Sequence, residues 1–251
     1  MHAIFACQSD VGRVHTHNED YIWVDGDKGI FIIADGLGGH EAGEVASQLT
    51  ATTVGQMIAA GLPAAAAPFS PDVVKTEMVR ALEASNETVL AAAHEEGQTR
   101  QMGATIVVLL LQLPKVYVCH AGDARVYLAR DLTLTQLTED DSFVAQLVAA
   151  GVISKDEAEA HAYRFVVTKA IGQNPPLEPT FSQLDARPND WLLLCSDGLT
   201  DMVSEAHLLA ALQTANGDPN HVVNTLTEAA NAAGGKDNIS VIAIRILADG
   251  A

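Results

Sequence analysis

Short runs of β-branched and aliphatic residues recur along the chain, at 21–24, 29–34, 104–112, 115–120, 124–129, 191–195 and 239–246. Runs apolar at nearly every position, rather than at alternate ones, predict strands covered on both faces. Asp25-Gly26 and Leu113-Pro114 leave turns too short for a crossover, so the strands they join are antiparallel neighbours. Helices fall between the strands. Ser70-Pro71 opens one, in which Val74, Met78, Leu82, Ser85, Val89 and Ala93 form one face and Lys75, Glu83 and Glu87 another. A second begins near Glu41, Ser154 and Glu157 make a capping box, and Asp218-Pro219 opens a further helix; residues 59–70 read as a loop. Antiparallel strands buried on both faces, with paired helices inserted between them, predict a layered α+β sandwich with its helices outside. No repeat, low-complexity tract or linker divides residues 1–251, so one domain is expected.

Composition narrows the class of partner. With 48% hydrophobic and 18% charged residues the chain can bury a sizeable core, but 32 acidic against 14 basic residues leave a formal charge of −18. Such a field repels nucleic acid and anionic lipid, and no basic cluster overrules it. Cys7, Cys119 and Cys195 are far apart and form no CxxC pair, which argues against a disulfide framework or a thiolate zinc site and suits a reducing compartment. The N-terminal stretch lacks the pattern of a secretory signal, and the longest apolar run, 104–111, is too short for a membrane span. A cytoplasmic monomer is expected.

The acidic residues are placed unusually. Asp35, Asp123 and Asp197 stand just past the ends of predicted strands, while Asp20 and Asp237 stand just before strands. In an antiparallel sheet those two kinds of end lie side by side, so all five can gather at one edge. Any single Asp-Gly is more often a turn, and Asp25-Gly26 reads as one; turns alone do not require five aspartates bracketing buried strands. Crowded carboxylates raise one another's pKa and need cations. The arginines near these motifs are Arg13 and Arg125, and an all-oxygen donor set suits hard ions, so two or more Mg²⁺ or Mn²⁺ are inferred.

In order, the motifs SDVGRVHTHNED (9–20), IADGLGGHEAGEVAS (33–47), MGATIVVLLL (102–111), HAGDARVYLAR (120–130), LCSDGLTDMVS (194–204) and GGKDNISVIAI (234–244) resemble the type 2C metal-dependent serine/threonine protein phosphatases, the PPM family, in their compact bacterial form. The resemblance implies a four-layer α-β-β-α sandwich with a dinuclear Mn²⁺ or Mg²⁺ site at one edge. It further implies that Asp35 bridges the ions, the Gly36 carbonyl binds one, Asp197 and Asp237 hold the other, and Asp20 acts through water. Asp123 and Asp197 would hold a third, looser ion beside a flap at about 141–171, and Asn238 would order that end of the site. Two positions depart from the family pattern. His15 stands where an arginine usually clamps the substrate phosphate, with Arg13 two residues earlier; on an extended strand the two would share a face, and either could bind phosphate. Phe165 stands where a small polar residue is usual near the third ion, so weak third-ion binding is expected.

The implied activity is hydrolysis of phosphoserine and phosphothreonine by a hydroxide shared between the ions, opposing a bacterial serine/threonine kinase. His40 is the nearest proton donor for the leaving alkoxide, weighed evenly against a role at the start of the helix near Glu41. His120 reads as a buried histidine satisfied by backbone, and Arg125 as the partner of a nearby carboxylate. Two other functions compete: a non-catalytic phosphoprotein-binding module on the same fold, and a hydrolase of small phosphate esters.

Overall fold

The structure, a computed structural model, describes residues 1–38, 41–62, 69–95, 102–173 and 176–249. Its strands are β1 (His2–Asp10), β2 (Asp20–Asp25), β3 (Ile30–Leu37), β4 (Gly103–Gln112), β5 (Lys115–Ala121), β6 (Arg125–Arg130), β7 (Thr133–Gln136), β8 (Thr180–Asp185), β9 (Trp191–Cys195) and β10 (Ile239–Leu247). The helices are α1 (Glu41–Gly61), α2 (Pro71–Glu95), α3 (Phe143–Ala149), α4 (Lys155–Glu159), α5 (Asp197–Thr200), α6 (Glu205–Thr214) and α7 (Pro219–Ala232). Two five-stranded sheets form, in the orders β1-β10-β9-β6-β7 and β2-β3-β4-β5-β8, and every strand pairing is antiparallel.

Each central strand divides its apolar residues between two cores, since side chains alternate across a strand. Phe31, Ile33, Val107, Leu109, Val126, Leu192, Leu194, Ile242 and Ile244 meet between the sheets. Their neighbours Ile32, Ala34, Ile106 and Val108 face α1 and α2, where Val54, Ile58, Val74, Met78 and Leu82 cover them. On the far side Leu193, Cys195, Val241 and Ala243 pack under Leu208, Leu212, Val222 and Leu226 of α6 and α7. The layers therefore run helices, sheet, sheet, helices, the four-layer order that the resemblance implied.

The predicted capping box is present: the Ser154 side chain accepts from the Glu157 amide, and Glu157 accepts from the Ser154 amide. Asp218 caps α7 through the Asn220 amide at 2.9 Å, with Pro219 in its first turn. The loop expected from residue 59 starts later, because α1 runs to Gly61. Residues 63–68 lie outside the described part. Among the described residues no helix is long and apolar enough to cross a membrane.

The layer between the sheets should dominate stability. Leu109→Ala, at a fully buried position there, is expected to cost about 2–5 kcal/mol, read as a lower urea midpoint. Val152→Ala, at a 65% exposed position, should change stability by less than about 0.5 kcal/mol.

Candidate metal centre

Strand register assembles the site. Asp20 on β2 is paired directly with Asp35 on β3, so two carboxylates start side by side at one sheet edge. Gly122 and Asp123 follow β5, Asp197 opens α5 immediately after β9, and Asp237 precedes β10. Asp35, Asp123, Asp197 and Asp237 line one cleft of about 480 Å³, with Gly36, His15, Asn238 and Glu19.

Short hydrogen bonds and close packing fix the surrounding backbone. Asp20 accepts from the Ser196 hydroxyl at 2.8 Å, tying the two sheets together at the site. Gly36 donates its amide to the Glu19 carbonyl at 3.1 Å, and a Cβ there would strike the Gly43 carbonyl and lie 2.7 Å from that of Glu19. A larger residue at 36 would displace the backbone beside Asp35. Asn238 accepts from the Glu19 amide at 2.8 Å and donates to the Val11 carbonyl at 2.9 Å and the His17 carbonyl at 3.0 Å. One side chain thereby holds the loop that leads into Asp20 against the turn that carries Asp237.

That loop corrects one expectation. Residues 12–14 form a turn, not a strand: Gly12 has φ +80° and packs against the Gly235 carbonyl, and its amide donates to Asp10 at 2.9 Å. Arg13 and His15 are therefore not alternate residues of one extended strand. His15 enters the cleft, with Nε2 3.6 Å from Asp237 Oδ1, whereas the exposed Arg13 is not among the residues lining it. Sequence reasoning missed two cations that do line it, Arg164 and Lys236. Arg164 lies 3.7 Å from Asp201 and stacks over the Phe165 ring at 4.0 Å. Lys236 adjoins Asp237 in sequence and could have been found there; nothing local distinguished Arg164. His40 lies outside the described residues.

Behind the cleft, His120 Nε2 is 2.9 Å from the Glu139 carbonyl oxygen, and Arg125 makes a two-pronged ion pair with Asp140, its closest contact 2.6 Å. Both agree with the structural roles expected of them. Asp141 accepts from the Gly122 amide at 3.1 Å and pairs with Lys169 at 2.8 Å. The excursion from 141 to 171 thus has its base fixed beside Asp123, with a Ser142–Val167 bridge across it.

The electrostatics ask for cations. Burial, then the carboxylates of Asp20, Asp197, Asp123 and Asp237, raise Asp35 well above the ordinary carboxylate range. Burial followed by Asp123 and Asp237 does the same to Asp197, whose Oδ1 is shut from solvent with no hydrogen-bond partner. Burial pushes Asp20 and Asp123 up to about 6. Among the described residues no three His, Cys, Asp or Glu side chains close on a single point. Mg²⁺-like ions keep several waters and take only one or two carboxylates each. The donors present are oxygen, one is an orphan, and the glycine beside Asp35 leaves its carbonyl approachable, so the residues fit divalent cations.

Residues 11–231 match the family described as protein phosphatase 2C. The chain is 36% identical over 242 residues to the serine/threonine protein phosphatase PstP of Mycobacterium tuberculosis, a match spanning 95% of this chain but 44% of that protein. It is 34% identical to the serine/threonine phosphatase stp of Listeria welshimeri, over 97% of this chain and 95% of that one. The crystal structure of the PstP catalytic domain in complex with two manganese ions superposes with a TM-score of 0.84 at 34% identity, covering 98% of this chain and 99% of that one.

Raised carboxyl pKa values make stability depend on pH. Because the folded protein binds more protons than the unfolded chain between about 4 and 6, the metal-free protein loses stability as pH rises through that window. Its Tm in a chelator should be higher at pH 5 than at pH 7.5, and Mn²⁺ or Asp197→Asn should flatten that slope. A Tm that does not fall with pH in the chelator would show that the carboxylates are not crowded.

Proposed function

The chain belongs to the protein phosphatase 2C family, and on that footing we propose that it hydrolyses phosphoserine and phosphothreonine in proteins, opposing a serine/threonine kinase in the cytoplasm. The observation that supports this most is the convergence of Asp35, Asp123, Asp197 and Asp237, from four separate chain segments, on one cleft, where burial and then the neighbouring carboxylates hold Asp35 well above the ordinary carboxylate range. Asp35, the Gly36 carbonyl, Asp197 and Asp237 would hold two Mn²⁺ or Mg²⁺, with Asp20 contributing through water and Asp123 and Asp197 holding a third ion weakly. Bound divalent ions lower the pKa of a water toward neutrality and offset the charge of the phosphoryl oxygens.

The remaining work falls to side chains of this chain. His15, Arg164 and Lys236 present positive or protonatable groups to the cleft and would take the place of a phosphate-clamping arginine. Asn238 fixes the loop that carries His15, so it orients the phosphate indirectly. Phe165 and Met202 supply an apolar wall suited to the residues flanking a phosphoserine. Residues 141–171 would form a flap that brings Arg164 and Phe165 over the substrate. His40, by its sequence position, would protonate the departing alkoxide.

Turnover of p-nitrophenyl phosphate and a phosphothreonine peptide in Mn²⁺ is expected, and Asp35→Asn should remove most of it, since a carboxylate proposed to hold the ions is lost. No turnover above that control, with retained phosphopeptide binding, would favour the binding module; poor peptide turnover beside small phosphate esters would favour the third reading. His15→Ala and Lys236→Ala should raise KM severalfold with kcat less affected, while Arg13→Ala leaves KM unchanged. If no cation variant raises KM, the ions alone hold the phosphate.

A further inference from the structure

A second cavity, of about 410 Å³, opens at the far ends of β6 and β10, which begin just after Asp123 and Asp237, and at the start of β9, which ends just before Asp197. It is bounded by the end of β6, the start of β9 and the end of β10, and by α6 with the turn that follows it. Arg245, Trp191, Leu209, Leu212, Gln213 and Asn189 are among its lining residues.

Arg245 is the anomaly there. Its guanidinium carbon lies 5.5 Å from the Trp191 ring centroid and packs against Gly217. Its Nε is buried and has no hydrogen-bond acceptor, and its one side-chain hydrogen bond among the described residues, to Asn189 Oδ1, is long at 3.4 Å. Among the described residues it is the one Arg or Lys withdrawn from full exposure that has no carboxylate within ion-pair distance. This is notable in a chain with 32 acidic residues to 14 basic ones. A cation partly withdrawn from water without a counter-charge favours an anion beside it. The neighbouring guanidinium needs no such partner: Arg130 is bonded to Asp190 at 2.6 and 2.8 Å and to the Asp185 carbonyl at 2.8 Å. Of the charged lining groups, Asp131 is the sole carboxylate, on an exposed turn, against the two arginines.

We propose that this cavity binds a small organic oxyanion, a carboxylate or phosph(on)ate, with its charge on Arg245 and a flat apolar body against Trp191, Leu209 and Leu212. Planar guanidinium geometry matches an oxyanion through two parallel hydrogen bonds, and the buried indole with its leucine neighbours supplies the surface for the body. Catalysis in the cleft makes no use of these residues, so the two readings stand or fall separately.

The chain has two tryptophans, so an indole N–H resonance can report on the cavity alone once Trp23→Phe has assigned it. With Mg²⁺ present, benzoate or phenylphosphonate should shift the Trp191 indole signal saturably with a midpoint near or below about 1 mM, leaving Trp23 unmoved. A response to benzoate alone, phenylphosphonate alone or both assigns the site to carboxylates, phosph(on)ates or oxyanions generally. Arg245→Gln should weaken binding at least tenfold. Gln213→Glu, at an exposed lining position, keeps the arginine and supplies it with a carboxylate, and should weaken binding as much even if Arg245→Gln fails to fold. An equal response to uncharged benzyl alcohol, or no saturable shift up to about 10 mM of either anion, would overturn the proposal.

Discussion

Like charges brought together at one edge of a β-sandwich govern this molecule. Asp20 and Asp35 are locked opposite each other by the β2–β3 register, and neither can retreat without slipping a hairpin whose apolar residues fill both neighbouring cores. Packing of the sheets therefore holds the carboxylates in place against their repulsion, which is the reverse of the usual relation in which charged groups adjust to a settled core. A divalent cation converts that standing cost into binding energy, because the donors are already held in position.

The same constraint explains why the loops around the cleft are so thoroughly pinned. Asn238 spends both its donor hydrogens and its carbonyl on backbone groups of residues 11–19, and the buried hydroxyl of Ser196 is committed to Asp20 while it accepts from the Ser240 amide at 3.0 Å. Carboxylates contributed by five chain segments stay in relative position only if each segment is tied to another. Mutating such tethers is expected to act through geometry, not through loss of charge.

Much of this was legible in the sequence where burial is two-sided and chemistry is acidic. The central strands show as unbroken apolar runs, and the helix starts show in Ser154, Glu157, Asp218 and Pro219. The edge strands β1 and β7 did not show: β1 buries only Ala6 and leaves Phe5 40% exposed, and the short β7 has no buried residue, so neither carries a hydrophobic signature. Both are held by backbone pairing to a neighbour, which leaves no local trace. The five aspartates were readable because strand ends are readable. The strand expected at Arg13 and His15 did not form because Gly12 turns the chain, and Arg164 escaped notice because its place in the cleft depends on how the 141–171 excursion folds back toward Asp201.

Anomalous scattering at the manganese absorption edge from crystals grown with Mn²⁺ tests the idea most directly. Two strong peaks should flank Asp35, one of them near Asp197 and Asp237, with any third peak weaker and beside Asp123. Crystals that diffract well and show no peak in this cleft, or peaks only elsewhere on the surface, would contradict the assignment of the cleft carboxylates as cation ligands.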